Sequence, residues 1–402
     1  MLDIKPIFNA IRRSKIGAVL LLLQIALTMA IVSNAAFMIN DHVSYLREDT
    51  GFPEKEIFSL SVMTFGTDRS LSQQAELDET MIRSLPGVID ASLIQAVPLS
   101  GGGSSSSVAL KPSPEQSKSI SVPYYYMDEH GLNTFGIKLL EGRNFRPEEV
   151  IVGNDFTGNG PNTIIVSQAL ADALFSDGGA LGETVYLKNR PLEIIGIVGT
   201  MKSPWPNGMR DKTTAIVPFM DVQNYQHILV RTDKTERANI MANIEQKMLD
   251  VYDKRVIINV DGLDKTKENY DATDVLMMRM LIVLVVILLL VTALGIFGLT
   301  QFNISKRTKQ IGTRRALGAR KSAIVRYFLV ENTMVCIAGL VIGGLAAVVL
   351  GDVMMKSYSI SSLEPEFIVG TAVFIFVMSL LAVIVPAMRA ANISPSIATR
   401  SI

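Results

Sequence analysis

Four stretches of this chain, residues 16–39, 275–299, 324–350 and 367–388, are each apolar over at least the roughly 20 residues that a helix needs to cross a bilayer. Hydrocarbon offers no partner for backbone N–H and C=O groups, so each stretch must close its hydrogen bonds within itself, as a helix. The expected fold is therefore an α-helical membrane protein with four transmembrane helices, and everything else must fit between them. The first stretch follows Arg12, Arg13 and Lys15 and ends near Ser33-Asn34-Ala35-Ala36, a combination shared with secretory leaders. Its apolar core exceeds the roughly 7–15 residues of a leader's central region, so it reads as a retained anchor.

Loop charge sets the expected orientation. Lys+Arg and Asp+Glu each number 38, so net charge points to no nucleic acid or acidic partner, and only the distribution of charge informs. The amino-terminal segment 1–15 carries Lys5, Arg12, Arg13 and Lys15. The loop 302–322 carries Lys306, Arg307, Lys309, Arg314, Arg315, Arg320 and Lys321, and no acid. The short loop 351–366 has Lys356 against Asp352, Glu364 and Glu366. Cytoplasmic loops hold the excess of Lys and Arg. Both termini are then expected inside, with Arg389 and Arg400 in agreement, and residues 40–274 outside. The sole cysteine, Cys336, lies in an apolar run and suits helix packing; His42, His130 and His227 have no ligand spacing, so no metal site is expected.

Residues 40–274 are long enough for a core of their own and for two subdomains. "EIFSLSVMTF" reads as a strand, "SLSQQAELDETMIRSL" as a helix capped by Ser70 or Ser72 and closed by Pro86-Gly87, and "VIDASLIQAVPL" as a strand. "SGGGSSSS" (100–107) reads as a flexible connector. It lacks the lysine and helix start that phosphate binding needs. A more β-rich middle follows, with strand then helix in "NTIIVSQALADALF" and a hairpin through Asn189-Arg190 in "ETVYLKNRPLEIIGIVGTM". "TAIVPF", "HILVRT" and "RVIINV" are further strands, with a helix near 235–250. The economical arrangement is an outer α+β subdomain, about 40–120 and 212–274, with a second inserted at about 121–211. "KTKENYDATDVLMMRMLIVLV" has no proline or glycine break, so one helix is expected to run from the outer domain into the bilayer.

The loop 302–322 holds the sharpest question. Its end, "GARKS", hints at a nucleotide-binding loop, but a P-loop needs glycine before Lys-Ser, where Arg320 stands here, and a strand before it. That reading fails, and no nucleotide-binding module is evident elsewhere. The pattern suits a short amphipathic helix in which Ile311, Ala316 and Leu317 lie near one face, Gly318 stops the helix, and Arg314 and Arg315 can meet carboxylates. By pattern alone it either docks on a partner or rests on lipid headgroups.

The stretch "KRTKQIGTRRALGARKSAIVRYFLVE" strongly resembles the signature of MacB/FtsX-type permeases of ATP-binding cassette transporters. "YYYMDEHGLNTFGIKLLEGRNF", "NTIIVSQALADALF" and "IIGIVGTM" resemble that family's MacB-like periplasmic core domain, expected over 40–274, and "ISPSIATR" resembles its tail. Residues 275–402 then resemble the FtsX-like permease domain. The resemblance implies that Gln310, Ile311, Arg314, Arg315, Ala316, Leu317 and Gly318 form a coupling helix received by a separate ATPase subunit, which binds ATP and Mg while this chain needs no cofactor and catalyses nothing. Many members carry an acid where Gln310 stands. The implied partners are the ABC ATPase, a second permease chain (identical or paralogous), a periplasmic adaptor with an outer-membrane channel, and membrane lipid. Location in a bacterial inner membrane and export of a peptide, antibiotic or other small cargo follow. An FtsX-like regulator of a cell-wall hydrolase, a Lol-like lipoprotein extractor and a membrane-anchored sensor without an ATPase are the alternatives.

Within the helices, Gly339, Gly343, Ala347 and Gly351 make a small-residue stripe suited to close packing, read as intrachain and against the fourth helix rather than as a dimer seam. Gly295 and Gly298 are a weaker mark. Glu331 is the one acid well inside an apolar run; a structural ion pair with basic loop residues, or with Arg326 near the interface, is favoured over proton transfer. Gln24 and Asn34 suit interhelical hydrogen bonds. Outside, "SPWPNG" presents Trp205 as a rigid exposed tip that either anchors a partner or packs on itself, and in "PYYYMDEH" alternation would bury Tyr125 and expose its neighbours.

Overall fold

A computed structural model describes residues 15–112, 119–153, 160–206, 211–358 and 363–394. Lys5, Arg12, Arg13, Arg400, most of the tail motif, Asn207 and Gly208, and residues 359–362 of the short loop lie outside these. The chain divides into two units: residues up to Leu46 with those from Asp274, and Arg47–Thr273.

The elements follow in chain order. Helix α1 (Lys15–Arg47) leads to β1 (Ile57–Thr64), α2 (Leu71–Arg83), β2 (Val88–Ile94), β3 (Ser104–Ala109) and β4 (Ser119–Tyr126). Next come α3 (Gly131–Phe135), β5 (Leu139–Gly142), β6 (Ile151–Gly153), β7 (Thr163–Ser167), α4 (Gln168–Leu174), β8 (Thr184–Leu187) and β9 (Arg190–Val198). Strands β10 (Ala215–Val217), β11 (Phe219–Asp221) and β12 (Tyr225–Thr232), helix α5 (Arg237–Val251) and β13 (Arg255–Gly262) complete the β-rich part. Helices α6 (Leu263–Lys306), α7 (Thr308–Ala316), α8 (Lys321–Tyr358) and α9 (Pro365–Ala391) end the chain.

In the β-rich unit, β1, α2, β2, β12, α5 and β13 form an antiparallel sheet in the order β13-β1-β12-β2. This β-α-β-β-α-β path, with the fourth strand beside the first, is the ferredoxin-like arrangement. Ser70 caps α2 by accepting from the Gln73 N–H. Phe58, Leu60 and Val62 point to one side of β1, where they pack with Ile82 of α2 and Ile240, Ile244 and Met248 of α5.

Between β2 and β12 a second sheet runs β5-β9-β7-β10-β4-β3-β8, and β8 also pairs with β9. The strands from β9 round to β8 therefore close on themselves, so that β5 alone ends this sheet as an edge. Alternation along them sorts side chains into two cores. Val122, Tyr124, Ile164, Val166, Leu192 and Ile194 fill one with Leu170 and Leu174 of α4. Tyr125, Ile165 and Ile195 fill the other, together with Ile57 and Leu229 of the first sheet.

Several expectations change here. Because β4 is covered on both sides, Tyr124 and Tyr126 are buried as well as Tyr125, not exposed. The serines of the expected flexible connector form β3, since backbone pairing with β4 needs no side-chain pattern. Strands β3 and β10 thus belong to the inserted sheet, so the insertion begins before 121 and ends after 211. The β8–β9 hairpin turns at Lys188-Asn189, one residue early, with both at positive φ (50° and 66°), as a tight two-residue turn demands.

In the other unit α1, α6, α8 and α9 are long and apolar enough to cross a membrane. All extend beyond the apolar stretches: α6 has 44 residues, ~66 Å at about 1.5 Å per residue. Polar ends cost a helix nothing outside hydrocarbon, so composition marks the span and not the helix ends.

Candidate functional site

The basic loop folds because α6 and α7 meet at Arg307, whose backbone leaves the helical region (φ −105°, ψ 13°). Its guanidinium Nη1 donates to both carboxylate oxygens of Glu331 on α8, at 3.0 and 3.1 Å, and reaches the Tyr327 hydroxyl at 3.3 Å. Glu331 is thus ion-paired with Arg307 rather than with Arg326.

Helix α7 is held from one side. Ile311 and Gly312 are buried, Ile311 in a cluster with Ile324 and Phe328. Arg314 lies 5.2 Å from the Tyr327 ring centre, within cation–π range. Arg315 turns back to donate to the Ala319 carbonyl at 2.9 Å. At the end, Gly318 has φ +92°. Its N–H donates to Arg315 O and that of Ala319 to Arg314 O, the paired closure that a left-handed glycine permits.

Beyond these contacts the helix is open, with Gln310 and Arg314 at the margin beside Tyr327. Gln310, Thr313, Arg314, Ala316 and Leu317 are exposed, Leu317 at 83%. Positions 310, 313, 314 and 317 make one stripe at helical spacing. Contrary to expectation, Ile311 does not share a face with Ala316 and Leu317. Five and six residues at about 100° each carry a side chain well round the helix.

The small-residue stripe packs, but on α1. A Cβ on Gly343 would stand 2.6 Å from the Ala26 carbonyl oxygen, and one on Gly339 2.9 Å from Ile25. The Ala347 carbonyl accepts from Asn34 Nδ2 at 3.1 Å, and Gly351 also faces Asn34. The fourth helix takes another side of α8, where Asn332 donates to Ser379 at 2.6 Å. Gln24 donates to the Val291 carbonyl at 2.9 Å and Thr28 meets Thr292 at 2.7 Å, joining α1 to α6. Gly295 abuts Gln24, whereas Gly298 has nothing within 4 Å.

Trp205 is no projecting tip. It is half-buried between buried Pro204 and Pro206, its N–H donates to Ser203 Oγ at 3.0 Å, and Pro204 O accepts from Gly101. The same loop carries the buried Lys202, paired with Glu48 at 2.7 Å and Asp211 at 3.1 Å, a cluster that no local sequence signal marks. A second cluster sets Arg83 against Glu79, Asp90 and Asp128. Burial, then the charge of Asp128, pushes Glu79 up to about 8. Among the described residues no group of three or more His, Cys, Asp or Glu is placed to hold a metal.

Four helices long and apolar enough to span a bilayer, with a β-rich insertion after the first and a short basic helix after the second, and the family matches that follow, make this a membrane permease component of the ABC type. The family model for the MacB-like periplasmic core domain matches residues 18–247, and that for the FtsX-like permease C-terminal region matches 282–395. The chain belongs to the MacB/FtsX-type permeases. The macrolide export ATP-binding/permease protein MacB of Acinetobacter baylyi is 26% identical over 65% of this chain and 40% of its own length. That of Vibrio parahaemolyticus is 28% identical over 55% and 35%. The crystal structure of the periplasmic region of MacB from Actinobacillus actinomycetemcomitans covers 57% of this chain and 98% of its own, at 15% identity and a TM-score of 0.35. The chain spans two fifths or less of the length of these two MacB relatives.

Proposed function

We propose that this chain is the permease subunit of a MacB-like transporter, coupling ATP hydrolysis by a separate cytoplasmic ATPase subunit to movement of the Arg47–Thr273 unit in the periplasm. The cargo is a peptide, an antibiotic or another small molecule. A second permease chain, a periplasmic adaptor and an outer-membrane channel complete the machine in this reading.

The observation that carries it is the stripe of Gln310, Thr313, Arg314 and Leu317 on α7. Leu317 is an exposed apolar knob that lipid-facing charge does not explain, and it suits a socket on another protein. The opposite side of α7 is fastened by Ile311 and by the Arg307–Glu331 pair beside it, so a push on the stripe would be passed to α6 and α8. Arg314 serves this role and Arg315 a local one, and Gln310 makes an uncharged contact. The unbroken length of α6 supports its use as the element that carries the motion. The seven basic side chains of the loop favour a cytoplasmic placement.

Co-purification tests the reading. The full chain extracted in mild detergent is expected to bring Mg-dependent ATP hydrolysis with it. Leu317→Asp should lose that activity while its melting temperature stays unchanged; equal recovery would refute docking through α7. Thr313→Cys should resist a membrane-impermeant maleimide in intact cells, and labelling from outside would invert the topology.

A further inference from the structure

The β-rich unit contains a cavity of about 410 Å³ that the proposed coupling does not use. Its floor is the face of the four-stranded sheet opposite α2 and α5. Along β1, Phe58, Leu60 and Val62 face the helices, so Ser59 and Ser61 must face the cavity. The register of β13 slips by one residue against them: Ser61 stands opposite Ile258, but Ser59 stands opposite Asp261. Asn259, at φ 53°, takes up the extra residue. Such a bulge re-aims side chains, and here it brings both Asn259 and Asp261 into the lining. Asn269 and Tyr270, from the early turns of α6, form a wall.

The chemistry is uneven in a telling way. His227 Nδ1 lies 3.0 Å from Ser61 Oγ, which leaves Nε2 to face a guest. Burial holds the His227 imidazole below its ordinary value, hence neutral at pH 7. Asp261 is exposed, and among the described residues it has no ion-pair partner. The lining thus holds one carboxylate and no Lys or Arg; hydroxyl, amide and aromatic groups share it with the apolar Ala96 and Val97. Its volume falls in the range of small-molecule sites, roughly 300–1,000 Å³.

We infer that this cavity binds a small polyhydroxylated molecule bearing one positive charge, the amino sugars being the simplest class that fits. The cation meets Asp261, hydroxyls exchange hydrogen bonds with Ser61, Asn259 and Asn269, and a ring face lies on Tyr270. The inference concerns binding by this unit alone and does not depend on docking of an ATPase.

Saturation-transfer NMR on the full chain in detergent, with D-glucosamine as probe and D-glucose as its neutral counterpart, tests it. Glucosamine is expected to receive saturation, falling at least fivefold in Asp261→Asn and vanishing in Asn269→Trp. The indole enters from an exposed helix position and fills the space, and an unchanged melting temperature verifies the fold. No transfer to glucosamine in the native chain overturns the site. Transfer that persists in Asn269→Trp places binding elsewhere, and equal transfer to glucose overturns the charge selection.

Discussion

Replacing Arg307 with methionine leaves the Glu331 carboxylate with no cation in a setting where both side chains are largely covered, 16% and 13% exposed. Removing one partner of a buried pair costs about 3–5 kcal/mol, and an acid inside a membrane helix alone costs roughly 2.5–3.5 kcal/mol. Taking about 3 kcal/mol, the folded-to-unfolded ratio should fall about 150-fold. Glu331→Gln should cost less, roughly 1–2 kcal/mol, because an amide oxygen still accepts from Arg307 and the long arginine can reach water. The double substitution should then lose less than the sum of the singles, by about 1.5–2 kcal/mol. Reversible denaturation of the four proteins in mixed detergent and SDS micelles measures this cycle. Strict additivity within about 0.3 kcal/mol would show that the two groups do not hold α6 to α8, and the proposed fastening of α7 would fall with it. Arg326→Ala is expected to be close to neutral in the same assay.

Gly343→Leu puts a side chain where even a Cβ meets the Ala26 carbonyl at 2.6 Å. It should destabilise by about 2 kcal/mol or more in the same micelle titration, while Gly298→Ala, with open space around it, should change little; the reverse ranking would refute packing on α1. Lys202→Met leaves the largely covered carboxylate of Asp211 without its cation, while Glu48, about a third exposed, keeps Lys212, so a loss of about 1–3 kcal/mol is expected, read as a fall in the chemical midpoint of the full chain; no shift would contradict the Lys202–Asp211 contact. Glu79 binds its proton with a value near 8 when folded and 4.5 as a reference carboxyl. Between those pH values the folded chain holds a proton the unfolded chain lacks, so stability falls as pH rises, by at most about 1.4 kcal/mol per pH unit. Denaturation at pH 5, 6.5 and 8 should show that slope and its flattening in Glu79→Gln; a slope of opposite sign in the native chain would refute it.

Much of this was legible along the chain because its causes are local. Hydrocarbon makes any long apolar run helical, which brought out α1, α6, α8 and α9. Ser70 and Gly318 likewise speak through neighbours a few residues away. Choice of partner is a different matter. Gly339 and Gly343 announce a close approach but not its other side: the sequence favours α9, whereas Ala26 and Asn34 of α1 fill that groove. Glu331 calls for a cation, yet only the turn at Arg307 brings that one within 3.0 Å. Ser104–Ser107 lack any side-chain pattern, and their strand exists because β4 supplies the hydrogen bonds. The cavity above Ser61 and His227 joins positions 166 residues apart. Local sterics and solvation act through the sequence itself, whereas pairing and packing are settled by whichever distant surfaces fit together.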